Sequence, residues 1–448
     1  MKGRMDMSAI NPEVTQKFHD TFVENNKQQA LQRSVVKNGI SASAESQQAQ
    51  INNVPVFSID LATGKVANQK QSGRCWMFAA LNTFRHKMIN SFKLKDFELS
   101  QNYTFFWDKY EKSNYFYENI IATADQELDS RKVAFLLTTP QQDGGQWDMI
   151  VSLFQKYGVV PKTAMPESSN SSNSRDLNNY LNKKLRKDAT LLRGLIHDGK
   201  TAAEVQAAKE AMLEEVYTFL AVSLGTPPTS FDFEYRDEEK NYHLDQALTP
   251  QSFYEKYVGV NLDEYVSVIN APTADKPYNQ TYTVEMLGNV VGGKEVKYIN
   301  VDMTTFKKLA IAQLEQGESV WFGCDVGQSS TRDSGIMSLD AYDVNDLFDI
   351  DFTMTKAERL DFGESLMTHA MVLTGVDLIE GVSTKWKVEN SWGEKVGEKG
   401  FFVMSDAWMD EYTYQIVIRK ELLSTELQEA WKKEPVVLAP WDPMGALA

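Results

Sequence analysis

The chain has two cysteines among its 448 residues, Cys75 and Cys324, and the surroundings of Cys75 fit covalent chemistry. It ends the run Asn68-Gln69-Lys70-Gln71-Ser72-Gly73-Arg74-Cys75, follows a glycine-containing turn and opens a helical pattern. Met77, Leu81, Phe84 and Met88 fall on one face of that helix. The unpaired amides and dipole of a helix N-terminus favour a thiolate, so a lowered thiol pKa is expected for Cys75. By itself, a cysteine at a helix start is more often a small core residue. A base is needed to give it a function. His19 and His86 lie in helical patterns and His197 and His243 in polar stretches, where surface or packing roles suffice. His369 leads directly into the apolar run Ala370-Met371-Val372-Leu373. A histidine at the lip of a buried strand is held rigidly and can face a cleft, where it pairs with a thiolate.

Two further side chains complete the chemistry. Asn390, in Lys385-Trp386-Lys387-Val388-Glu389-Asn390-Ser391-Trp392-Gly393, carries an amide that can accept the second N–H of the histidine and fix its ring. Trp392 can shield that hydrogen bond from water, which strengthens it. Without the other residues, Asn-Ser-Trp-Gly reads as a turn. Gln69, six positions before Cys75, can join the Cys75 backbone N–H as a donor to an oxyanion. The implied reaction is acyl transfer through a thioester, which requires no metal or organic cofactor.

These residues need a scaffold. Pro12 to Val36 reads as one amphipathic helix and Ser41 to Gln50 as a small polar linker. A Ser/Asn-dense break spans Ser168 to Arg175. Two helices follow, one through Leu177, Leu181, Leu185 and Leu192, the other from Ala202 to Leu224, stopped by Gly225-Thr226-Pro227-Pro228. Strand signals lie at Tyr265–Ile269, Val296–Ile299, Glu318–Val326, Ala370–Val376, Trp386–Val388 and Tyr414–Ile418, with a helix at Thr304–Gln316. The predicted class is α+β, with a helical front and a strand-rich back. The expected division is an N-terminal arm (1–60), a helical unit with the nucleophile (61–167) and a helical-then-mixed segment (168–300). A strand-rich unit with the histidine and asparagine (301–432) and a C-terminal arm (433–448) follow.

A formal net charge of −16 opposes nucleic acid as the main partner. No apolar stretch approaches the ~18 residues of a membrane-spanning helix, and no secretory signal is visible. Two cysteines in a chain of this length fit a reducing compartment, so a cytoplasmic enzyme is expected. Met1, Met5 and Met7 offer alternative starts.

Asn68-Gln69, Cys75-Trp76, His369-Ala370 and Asn390-Ser391-Trp392-Gly393 resemble, in this order, the motifs of papain-like cysteine peptidases. Gly397-Glu398-Lys399-Gly400-Phe401-Phe402 looks like the closing strand approach of that family. Asp143-Gly144-Gly145-Gln146-Trp147 is similar to its glycine pair, whose backbone lines the substrate cleft. The resemblance therefore implies substrate contacts at Gly144, Gly145 and Trp392. Ser72 stands where secreted relatives carry a cysteine, and Arg74 replaces a small residue. His369 comes 294 residues after Cys75, against roughly 130–150 in ordinary relatives, which fits an insertion over 168–300. This plan resembles the bleomycin hydrolase and bacterial aminopeptidase C family. The resemblance implies a papain-like core, action on peptides with free N-termini, and a homohexamer. It also implies a C-terminal arm in the cleft whose terminal carboxylate, on Ala448, meets the substrate ammonium. A broader endopeptidase and a nucleic-acid-binding or regulatory member of the family are the competing readings.

Overall fold

The computed structural model describes residues 8–94 and 96–447. The alternative starts Met1, Met5 and Met7, and Ala448, lie outside the described residues. Helices pack on the two faces of a 12-stranded sheet, and a separate two-stranded sheet pairs Phe231–Arg236 with Tyr242–Leu248, so the class is α+β.

The sheet explains how distant residues meet. Its middle is an antiparallel set in the order Tyr265–Ile269, Thr413–Arg419, Val320–Cys324, His369–Ile379, Val382–Glu389 and Phe401–Ser405. Successive residues of a strand face opposite sides, and both sides are covered. Ala370 and Val372 join the core shared with the helices, while Met371 and Leu373 join the core behind the sheet. Two-sided burial is why these strands read as unbroken apolar runs rather than alternating ones. Gln280–Val284 and Tyr298–Asn300 extend the sheet, so segment 168–300 contributes strands as well as helices. The C-terminal strand Val436–Leu438 pairs in parallel with Gln280–Val284.

The helical side is built on Cys75–Phe92, Gln101–Ala122 and Trp147–Tyr157, with Arg175–His197 and Ala202–Leu224 packed outside them. The last of these spans the expected residues, ending at Gly225, where φ is +94°. The single helix expected over Pro12 to Val36 is instead two, Pro12–Glu24 and Asn26–Asn38. Asn25 between them is extended, and its side chain accepts the N–H of Gln28. A local cap thus competes with helix continuation and wins. The expected linker Ser41–Gln50 holds two short helices, Ile40–Ala44 and Gln47–Asn52, each anchored by one buried alanine, Ala44 and Ala49.

Candidate active site

Cys75 is the first residue of the helix Cys75–Phe92, and its loop is held by one carboxylate. Asp143 accepts the Gly73 N–H at 2.9 Å and an Asn178 amide at 2.8 Å, and pairs with buried Lys109 at 2.7 Å. It also accepts the Ser174 hydroxyl. Despite burial, Lys109 and these hydrogen bonds hold its carboxyl well below the usual range. The Asp143 carbonyl accepts the Trp76 indole N–H at 2.7 Å. On the other side, buried Arg74 forms a two-pronged pair with Glu167 at 3.0 and 2.7 Å and donates to the Ser72 hydroxyl at 2.9 Å. The residues flanking the thiol are therefore fixed in place by fully engaged charges.

Cys75 is buried, 1% exposed, and the backbone N–H groups of Ala370, Trp76 and Cys75 itself act on its sulfur. The expected lowering of the thiol pKa is not what the site produces. Burial pushes the Cys75 thiol up to about 11, with the charge of Asp143 adding to the rise, and the three N–H groups offset only part of it. Desolvation of a charged sulfur outweighs a helix end.

Ala370 follows His369, so the N–H that reaches the sulfur comes from the strand carrying the imidazole. His369 Nε2 lies 2.8 Å from Asn390 Oδ1. That oxygen also accepts the Ser391 backbone N–H at 2.7 Å, which identifies it as an acceptor. The Nε2 atom therefore carries the hydrogen, and Nδ1 is left as the basic nitrogen. The Trp392 ring covers the imidazole at 4.9 Å between centroids. Burial pulls the His369 pKa down to about 4; the Asn390 bond opposes this and the charge of Arg332 adds to it.

Gln69 is tied at both ends, its carbonyl accepting the Ser391 hydroxyl at 2.6 Å and its amide donating to the Ser72 carbonyl at 2.8 Å. An amide NH2 has two hydrogens, so a second N–H is left for a ligand. The Gln69 and Ser391 backbones also join at 2.8 Å, and Gly393 N–H donates to Ala67 at 3.1 Å. Gly393 has φ +79°, and a Cβ there would lie 2.4 Å from the Asn68 amide, so only glycine lets the two segments meet. Gly145 is equally constrained, because a Cβ would stand 2.7 Å from the Trp76 ring. Buried Lys112 ties down this loop by donating to the carbonyls of Gln142 and Gly144.

The C-terminal residues pack onto the body of the chain. Arg131 stacks on Trp441 at 3.7 Å, Lys276 pairs with Asp442 at 2.9 Å, and Tyr298 donates to the Met444 carbonyl at 3.1 Å. Met444 and Leu447 are buried, and the Gln146 amide donates to the Ala446 carbonyl at 3.4 Å. Ala446 therefore lies beside the residue that follows Gly144-Gly145.

The model of the Peptidase C1-like family matches residues 9–445. The chain belongs to this family. Among its members, Aminopeptidase C of Streptococcus thermophilus is 62% identical over 443 residues, covering 99% of this chain and 100% of that one. Aminopeptidase C of Lactococcus lactis subsp. lactis is 61% identical, covering 98% and 100%. The crystal structure of pepw from Lactobacillus rhamnosis HN001 is similar at a TM-score of 0.97 and 64% identity, covering 98% of this chain and 100% of that one.

Several supports of this Peptidase C1-like site escaped the sequence reading. Asp143 was visible only as the neighbour of the glycine pair, and Lys109 and Lys112 only as charges on a helix. Glu389, beside Asn390, is buried against Arg85 and against His86 at 2.8 Å. A buried ion pair is invisible when its members lie 303 or more residues apart in the chain. Arg332 carried no signal at all.

Proposed function

We propose that Cys75 is the nucleophile of a cysteine aminopeptidase, with His369 as its acid and base. The observation that supports this is that the strand carrying His369, which is hydrogen-bonded to Asn390, also supplies the Ala370 N–H that acts on the Cys75 sulfur at a helix head. The chain is a hydrolase that removes residues from the free N-termini of peptides. As Cys75 Sγ attacks the first peptide carbonyl, its proton passes to His369 Nδ1 and the carbonyl oxygen takes up negative charge. Gln69 and the Cys75 N–H stabilise that oxygen. The His369 proton then moves to the leaving nitrogen as the C–N bond breaks, giving the thioester. Water, losing a proton to His369, attacks the thioester; the S–C bond breaks and the thiol is restored. Asn390 holds the ring throughout. Gly144, Gly145 and Trp392 line the substrate path.

Burial opposes charge on both sulfur and imidazole, so proton transfer between them is coupled to attack. As pH falls, His369 gains a proton only near pH 4 rather than 6.5, and once charged it cannot accept the thiol proton. The acid limb of kcat/KM is therefore expected near pH 4. A limb near 6.5 would contradict this environment for His369. Replacing Gln69 by alanine should lower kcat by about 10²–10³, the usual effect of losing an oxyanion donor, with little change in KM. A Gln69→Ala variant of unchanged kcat would remove it from the mechanism.

The arm restricts the enzyme to N-termini. It fills the cleft beside Gln146, and the carboxylate of Ala448 would meet the substrate ammonium there. Comparing free with N-blocked peptide arylamides tests the reading; equal rates would make the enzyme an endopeptidase. We further infer a homohexamer. The helices Pro12–Glu24 and Asn26–Asn38 bury no residue within the chain, and Ile10, Phe18 and Val36 are 83%, 65% and 80% exposed. Such an apolar face fits a subunit contact, and light scattering that gave a monomer would refute it. The segment 168–300 is read as an insertion into the peptidase core. A cytoplasmic location fits two cysteines not joined by a disulfide. Among the described residues, no helix is long and apolar enough to cross a membrane.

A further inference from the structure

We propose that Arg332 forms a subsite on the leaving side of the cleft that binds a carboxylate of the departing peptide. This deepens the aminopeptidase reading and rests on it. Arg332 lies in the turn between the short strands Ser330–Thr331 and Ile336–Met337 and is exposed. Its guanidinium sits 4.8 Å over the Trp392 ring, and that ring sits 4.9 Å from His369. The three groups form one stack that ends on the base. The charge of Arg332 therefore opposes protonation of His369.

The direction of the cleft follows from the arm. Ala446 lies beside Gln146, so on the aminopeptidase reading the substrate N-terminus lies on that side. His369 gives its proton to the leaving nitrogen, so the departing residue lies over His369 and Trp392. It therefore meets Arg332 within about one residue of the cut bond.

The guanidinium is prepared for such a partner. Among the described residues it makes no ion pair and no hydrogen bond. By contrast, Arg74 beside the nucleophile is paired with Glu167, and Arg85 with Glu389, the residue before Asn390. The guanidinium lies over the Trp392 ring and is exposed, so its N–H groups can reach a ligand. Those groups match a carboxylate in a two-pronged geometry. The carboxylate has two sources, the free C-terminus of a dipeptide or an acidic side chain on the departing residue. The plain alternative is that Arg332 only roofs Trp392.

Three substrates separate these cases: Ala-Ala, Ala-Ala amide and Ala-Asp amide, with full-length enzyme and with Arg332→Gln and Arg332→Lys. In the wild type, Ala-Ala should exceed its amide in kcat/KM by about 3- to 10-fold, carried by KM, as expected for a half-solvated ion pair. High salt should shrink that ratio. Arg332→Gln should bring it to unity, and Arg332→Lys should keep part of it. Using the ratio cancels any change in His369 basicity that loss of the cation produces. A gain for Ala-Asp amide assigns the side chain as a ligand; no gain assigns the terminus. If Ala-Ala and Ala-Asp amide each keep the same ratio to Ala-Ala amide in the wild type and in Arg332→Gln, the subsite is overturned, as it is by an equal loss on all three substrates. If the wild type cleaves none of these peptides, the aminopeptidase reading falls instead.

Discussion

Replacing Cys75 by alanine is expected to abolish turnover, with kcat falling by about 10⁴–10⁶, the scale seen when a nucleophile is removed from a hydrolase. The fold should survive. The side chain lost is one buried sulfur, and the elements around it are held by other groups: Gly73 through Asp143, Arg74 through Glu167, Trp76 through the Asp143 carbonyl. Cys75→Ser should be nearly as inactive, because a hydroxyl is far harder to deprotonate than a thiol in a site that already resists charge. Cys324 cannot take over. It is fully buried behind the sheet, burial holds its thiol well above the usual value, and it faces the core with Phe322 and Met371. Steady-state rates on a free dipeptide, with circular dichroism to check folding, measure this. Substantial activity in a folded Cys75→Ala enzyme would refute the assignment.

Removing the last three residues, by a cut after Gly445, should reverse the preference for N-termini. The cut leaves the anchors of the arm, Arg131 on Trp441, Lys276 with Asp442, and Tyr298 on Met444. It takes away Ala446, which Gln146 binds, buried Leu447 and the terminal carboxylate. An ammonium deprived of its partner in a partly desolvated cleft loses about 2–5 kcal/mol, or roughly 30- to 4,000-fold in kcat/KM for free peptides. Peptides with blocked N-termini should become substrates, because the cleft is then open at both ends. Deleting Ala448 alone draws the carboxylate back by up to ~3.6 Å and should give a smaller loss. A truncated enzyme that kept its preference for free N-termini would show that the arm does not set specificity.

What the sequence displayed and what it hid have a common cause. Cys75, His369, Asn390 and Gln69 were legible because each sits in a short run whose residues do different jobs. The cysteine heads a helix, the histidine precedes an apolar strand, the asparagine precedes Ser-Trp-Gly. The helix Ala202–Leu224 was legible because Gly225-Thr226-Pro227-Pro228 marks its end. The break at Asn25 was hidden because the apolar spacing of Phe18, Phe22, Leu31 and Val35 runs straight across it. Asp143, Lys109, Lys112 and Arg332 were hidden because their partners are distant in the chain. A buried lysine on a helix looks like any solvated one until the fold supplies Asp143. The state of the thiol was misread for a related reason: the helix start is local, but the burial that outweighs it is tertiary.

The most direct test of the central claim is limited alkylation with iodoacetamide, following residual activity and mapping the modified residue by peptide mass spectrometry. Activity should fall in proportion to the fraction of chains labelled at Cys75, with Cys324 unlabelled in the folded enzyme. Full activity with Cys75 alkylated, or complete loss while Cys75 stays unmodified, would contradict that claim.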